Sequence, residues 1–180
     1  KGKGAYFHSL GKLSGACDIG FIHAYANDDV SIDIATKVKA HLLQGDTGRG
    51  SGVVIRDSNK TIVNTIESFK VRGSDSDYSV RILASDTQIG IIRARADAGA
   101  SGVQLGGFGN DISQINVSVG EVHDNFKHLP ISTDKNVAIC FSGNQNKIAS
   151  ARITINGNCI ALKASSVQKT VNRNSVNVII

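Results

Sequence analysis

The sequence predicts an all-β chain built as a parallel β-helix, a solenoid of about six to seven coils, and three observations carry the prediction. The large apolar volume is mostly Val, Ile and Leu: among 180 residues there is no Met or Trp, with only six Phe and three Tyr. Residues branched at Cβ fit a pleated, half-buried surface. Nineteen Gly and frequent Asn, Asp and Ser, with a single Pro, supply turns without breaking strands. Third, one short apolar pattern recurs along the chain.

Five segments align on that pattern, beginning at Val53 (VVIRDSNKTI), Val80 (VRILASDTQI), Val103 (VQLGGFGNDI), Ile139 (ICFSGNQNKI) and Ile160 (IALKASSVQKTV). Their start-to-start spacings are 27, 23, 36 and 21 residues. In the first four an Ile follows nine positions after the start, at Ile62, Ile89, Ile112 and Ile148, and in the fifth Val171 takes that place. A weaker copy begins at Ile32 and a fragment spans Cys17 to Ile22. Val53, Val80, Val103, Ile139 and Ile160 are therefore expected in one interior stack. A second alternating burst follows in each copy: Phe69/Val71, Ala94/Ala96, Val117/Val119, Ile153/Ile155 and Val176/Val178. Alternation of period two marks strands buried on one face. A unit this short cannot bury a core alone, but stacked on copies of itself it aligns like residues into ladders. A β-sandwich also has many short strands, yet leaves the nine-residue offset unexplained.

The net charge of +5 sits towards the ends and in the pair Arg93/Arg95. No dense Lys/Arg run interleaves with aromatics, so nucleic acid is not an expected partner. A mild positive balance suits an acidic polysaccharide, and equally an ordinary soluble surface. Cys17, Cys140 and Cys159 have no metal spacing and read as structural, with one disulfide at most. No run of 18 apolar residues exists to span a membrane as a helix. The chain starts Lys-Gly-Lys-Gly without Met, and we expect one β-helix domain over 1–180, a segment of a longer or processed protein.

These frames, an apolar pair, a Ser or Gly turn, then Asn, Asp or Thr before Ile, resemble the pectin-lyase-like right-handed parallel β-helix family over roughly residues 15 to 180. The resemblance implies extracellular polysaccharide recognition, with or without cleavage, as in a phage tailspike or depolymerase segment at the virion surface. It equally admits a free-standing lyase, hydrolase or epimerase, or a structural or adhesive β-helix without catalysis. Fold alone does not choose among them. Of the clustered Asp-Asp and Gly-His-Gly signatures of polygalacturonases, the sequence has one Asp-Asp pair, Asp28-Asp29, before the good repeats and with no Gly-His-Gly to match, so no family active site transfers, and enzyme status stays open. The resemblance also implies side-by-side association into a homo-oligomer, a trimer, as does the uncapped apolar pattern Ser175–Ile180.

Two interruptions of the repeat are the candidate sites. The connection after Val119 lengthens its coil and holds Glu121, His123, Asp124, Lys127 and His128. Glu121 and Asp124 could supply acid/base groups, while His123, Lys127 and His128 could meet a uronate carboxylate. The segment Arg72–Tyr78 carries Asp75 and Asp77, which could flank a glycosidic bond or hold Ca²⁺. Arg93 and Arg95 could add substrate contacts beside Asp97 on a neighbouring coil. Solvated loops and plain turn chemistry explain the same residues. No other cofactor or metal is implied. The Gly-rich stretch Gly45–Gly52 lacks a phosphate-loop ending and reads as a flexible inter-coil turn. His23 and His41 read as partly buried strand residues.

Overall fold

The computed structural model describes residues 4–8, 17–56, 60–70, 78–97, 99–121, 136–156, 159–164 and 174–179. It is a right-handed parallel β-helix, with no α-helix among the described residues. The first sheet stacks β1 (Ala5–His8), β3 (Ile32–Ala35), β5 (Val53–Ile55), β7 (Tyr78–Ile82), β9 (Ser101–Leu105), β11 (Asn136–Phe141) and β13 (Cys159–Ala164) in that order. The second stacks β2 (Cys17–Ala26), β4 (Val38–Thr47), β6 (Ile62–Lys70), β8 (Gln88–Asp97), β10 (Asp111–Glu121), β12 (Lys147–Ile155) and β14 (Ser175–Ile179). Each coil contributes one strand to each sheet, and every pairing is parallel.

Interior rows follow from the repeat. Ile32, Val53, Val80, Val103 and Ile139 stack in register, all fully buried. Beside them run Ile34, Ile55, Ile82, Leu105 and Phe141. In the second sheet Ala40, Val63, Ile89, Ile112 and Ile148 form one row, with Val176 next in backbone register, and Leu43, Ile66, Ile92, Ile115 and Ala151 form another. Each fully buried Val, Leu or Ile contributes roughly 1.5–3 kcal/mol relative to leaving it in water.

Several positions depart from the expected alignment. Ile139 pairs with Leu162, not Ile160, which pairs with Val137 and packs with it against Tyr78 and Cys140 outside the main core. Ala138 and Ile139 both face that core, an irregularity that turns Val137 and its partner outward. Val63 replaces Ile62, which is exposed, because the turn before β6 is one residue longer than its counterparts. Val176 occupies the row expected for Val171, which lies outside the described residues. Ser68 and Lys70, rather than Phe69 and Val71, pair with the inward Ala94 and Ala96.

The buried Lys70 is accommodated because its ammonium donates to the carbonyls of Arg49 (2.8 Å) and Gly50. Those carbonyls belong to the Gly-rich segment, which is packed tightly: Gly45 lies on β4, and a Cβ on it would strike the Gly52 backbone. Its glycines are required by close approach of chain to chain.

The turns between the sheets carry the second regular feature. Lys60, Asp86, Gly109 and Gln145 each have positive φ, from 53° to 68°, and each precedes a buried residue: Thr61, Thr87, Asn110 and Asn146. Asn110 Oδ1 accepts from Thr87 N at 2.9 Å, Asn146 Oδ1 from Asn110 N at 3.2 Å, and Asn174 Oδ1 from Asn146 N at 2.7 Å. Their amides donate onward to carbonyls of Ala84, Gly107 and Gly143. The turn residues thus bond the neighbouring coil's backbone, satisfying groups that leave the strand ladder inside the protein.

The second sheet bends once per coil. Buried positions there are three apart (Ala40 and Leu43, Val63 and Ile66, Ile89 and Ile92, Ile112 and Ile115), and the residue between the pairs drops out of register. Beyond the bend, alternation of period two resumes and presents a second, straight outer facet.

Candidate functional site

That outer facet is the candidate site, because alternation forces every second residue of five successive strands onto it. One row runs Gln44, Glu67, Arg93, Asn116 and Arg152. The next contains Asp46, Phe69, Arg95, Ser118 and Thr154. Together they line an open groove of about 450 Å³. Its floor is the backbone of the row Ser68, Ala94 and Val117, whose side chains point inward and whose outward neighbours form the walls.

The charges are arranged. Arg93 Nη1 donates to Glu67 Oε1 at 2.6 Å, one rung away. Arg95 lies over the Phe69 ring, 5.0 Å from its centroid, and 4.0 Å from the buried Asp97 carboxylate. Asp46 accepts the Phe69 backbone N–H at 3.0 Å and faces His23 at 3.4 Å. Arg152 is exposed, and no ion-pair partner for it is present among the described residues. Phe21 and Tyr25, 60% and 63% exposed, extend the facet on β2 with ring faces in water. Cations, amides, hydroxyls and aromatic faces on a rigid sheet can bind an extended polar polymer through charge, hydrogen bonds and ring stacking.

Of the residues singled out from the sequence, Arg93 and Arg95 stand together in this groove. Glu121 ends β10 instead of lying in a loop, paired in register with Asp97 past the left-handed Gly120. Asp75, Asp77, His123, Asp124, Lys127 and His128 lie outside the described residues. No group of three or more His, Cys, Asp or Glu with metal-holding geometry occurs among the described residues.

Other groove residues escaped the sequence reading: Glu67, Phe69, Asn116, Ser118, Arg152 and Thr154. The signal was available for Asn116, Ser118 and Arg152, each between two inward residues of an alternating burst, whereas Phe69 was itself expected to point inward. Two further readings change. His23 and His41 are on strands but solvent-facing, bonded to Asp46 and Asn64 (3.0 Å). The three cysteines are free thiols, Cys140 buried, Cys159 partly buried and Cys17 exposed; burial pushes the Cys159 thiol up. Compared with protein-family models, curated proteins and solved structures, the chain matches none.

Proposed function

We propose that this β-helix recognises an extracellular polysaccharide laid along the outer facet of its second sheet. The observation that carries the reading is the groove itself: five rungs of a rigid sheet align Arg93, Asn116 and Arg152 in one row beside Phe69 and Arg95 in the next. Its long axis crosses the strands, so successive rungs meet successive sugars. The exposed Tyr25 offers a ring to sugar C–H surfaces, and the amides and hydroxyls match sugar hydroxyls. The setting we propose is that of a tailspike or depolymerase segment, outside the cell or on a virion, assembled as a homotrimer.

The test is a binding and reducing-end-release panel of bacterial capsular and uronic-acid polysaccharides, run on the protein and on Arg152→Ala. We expect at least one polysaccharide to bind the protein and to bind Arg152→Ala at least about tenfold more weakly, the equivalent of one lost charge-assisted contact. Failure of every polysaccharide to bind, or equal binding by the variant, overturns the reading. Release of reducing ends would add cleavage, and Glu121→Gln, Asp124→Asn, Asp75→Asn and Asp77→Asn then identify the acid/base groups.

A further inference from the structure

The spacing of charge along the groove carries a narrower conclusion, which rests on the polysaccharide reading above. We propose that the groove selects an acidic polysaccharide with one carboxylate on every second sugar, an alternating chain of uronate and neutral sugar.

Consecutive rungs are about 4.8 Å apart, and a pyranose in an extended chain advances by about one rung. Read along the row, the rungs present Gln44, Glu67, Arg93, Asn116 and Arg152. Arg93 and Arg152 are two rungs apart, with the neutral amide of Asn116 between them. A chain with carboxylates on alternate sugars places them at Arg93 and Arg152, and the next at Gln44. Its neutral sugars then fall on Asn116 and Glu67. In this register no sugar carboxylate meets Glu67.

A homopolymer of uronates has no such register. With a carboxylate turned to the sheet at every rung, one faces Glu67, whose own carboxylate is held on this facet by Arg93. The guanidinium of Arg93 has five N–H donors, and Nη1 alone is committed to Glu67 among the described bonds. It can therefore take a sugar carboxylate while holding Glu67. Glu67 acts as the repulsive element that separates the two polymer classes, because discrimination is a difference of affinities. Two like charges at about 4 Å in a water-like medium cost enough to lower affinity roughly fivefold.

Titration calorimetry with three polymers of matched length tests this. Hyaluronan alternates glucuronate with a neutral sugar, β-1,4-glucuronan carries a carboxylate on every sugar, and carboxyl-reduced hyaluronan carries none. The protein should bind hyaluronan roughly fivefold or more tightly than glucuronan, and carboxyl-reduced hyaluronan more weakly than either. Glu67→Gln, a surface change that keeps a hydrogen-bonding partner for Arg93, should raise glucuronan affinity roughly fivefold and hyaluronan affinity by less, so that the preference for hyaluronan narrows. Equal affinity for the two acidic polymers, or an unchanged ratio in Glu67→Gln, overturns alternation while leaving polysaccharide recognition standing. Preference for the carboxyl-reduced polymer overturns the acidic class. No binding to any of the three overturns both.

Discussion

Replacing Asn146 with Ala removes one rung of the internal polar ladder, and the structure fixes the cost. Asn146 is fully buried. Its Oδ1 accepts both the Asn110 backbone N–H at 3.2 Å and the Asn110 side-chain amide at 2.8 Å, and its Nδ2 donates to Gly107 O at 3.1 Å. The Asn110 side chain keeps its bond to Ala84 O. The backbone N–H of Asn110 and the carbonyl of Gly107 lose these side-chain partners inside the protein. At about 1–3 kcal/mol for each buried group left unsatisfied, the expected loss is about 3 kcal/mol. For a chain of this length that lowers Tm by roughly 6–12 °C. The neighbouring Lys147 is exposed, so Lys147→Ala should shift stability by no more than about 0.5 kcal/mol. Urea unfolding of both variants, with Tm from calorimetry, gives the comparison. A loss below about 1 kcal/mol for Asn146→Ala would refute the ladder as a source of stability.

Three further outcomes follow from other parts of the coil. Arg56→Ala removes two bonds, at 2.8 and 2.9 Å, from the buried carboxylate of Asp33, and should cost about 3 kcal/mol in urea unfolding. A change below about 0.5 kcal/mol would show that the pair contributes nothing. Gly45→Ala drives a Cβ into the Gly52 backbone, so unfolding should be easier by about 2 kcal/mol, whereas an unchanged midpoint would show that the two segments separate freely. Thiol labelling at pH 8 should modify Cys17 first, Cys159 more slowly and Cys140 only on unfolding. For Cys159 the cause is partial burial, which raises its pKa and leaves less of the reactive thiolate. Faster labelling of Cys140 than of Cys17 would contradict the assigned burial.

The fold was legible because a solenoid writes its register into the sequence as repetition. Val53, Val80, Val103 and Ile139 were aligned by their spacing alone, and they stack. The failures occurred where two apolar residues competed for one inward place. Ile62 and Val63 are adjacent and both branched at Cβ, and only the turn length decides between them. Ile160 and Leu162 differ by two positions, a slip that period-two alternation cannot detect. Lys70 was invisible for a different reason: nothing in a Lys marks it as interior until the carbonyls of Arg49 and Gly50 are seen above it. Arg93 and Arg95 were legible as a surface pair by their alternation with Ala94 and Ala96. The groove was not, because it joins residues from five coils, and Glu67, Asn116 and Arg152 become neighbours only once each strand's register is set.

A crystal structure with a bound acidic oligosaccharide tests the account most directly. The sugar chain should run across β6, β8, β10 and β12 on the outer face of the second sheet, within hydrogen-bond reach of Arg93, Asn116 and Arg152. A ligand seated on the outer face of the first sheet, or at an end of the solenoid with this groove empty, would contradict it.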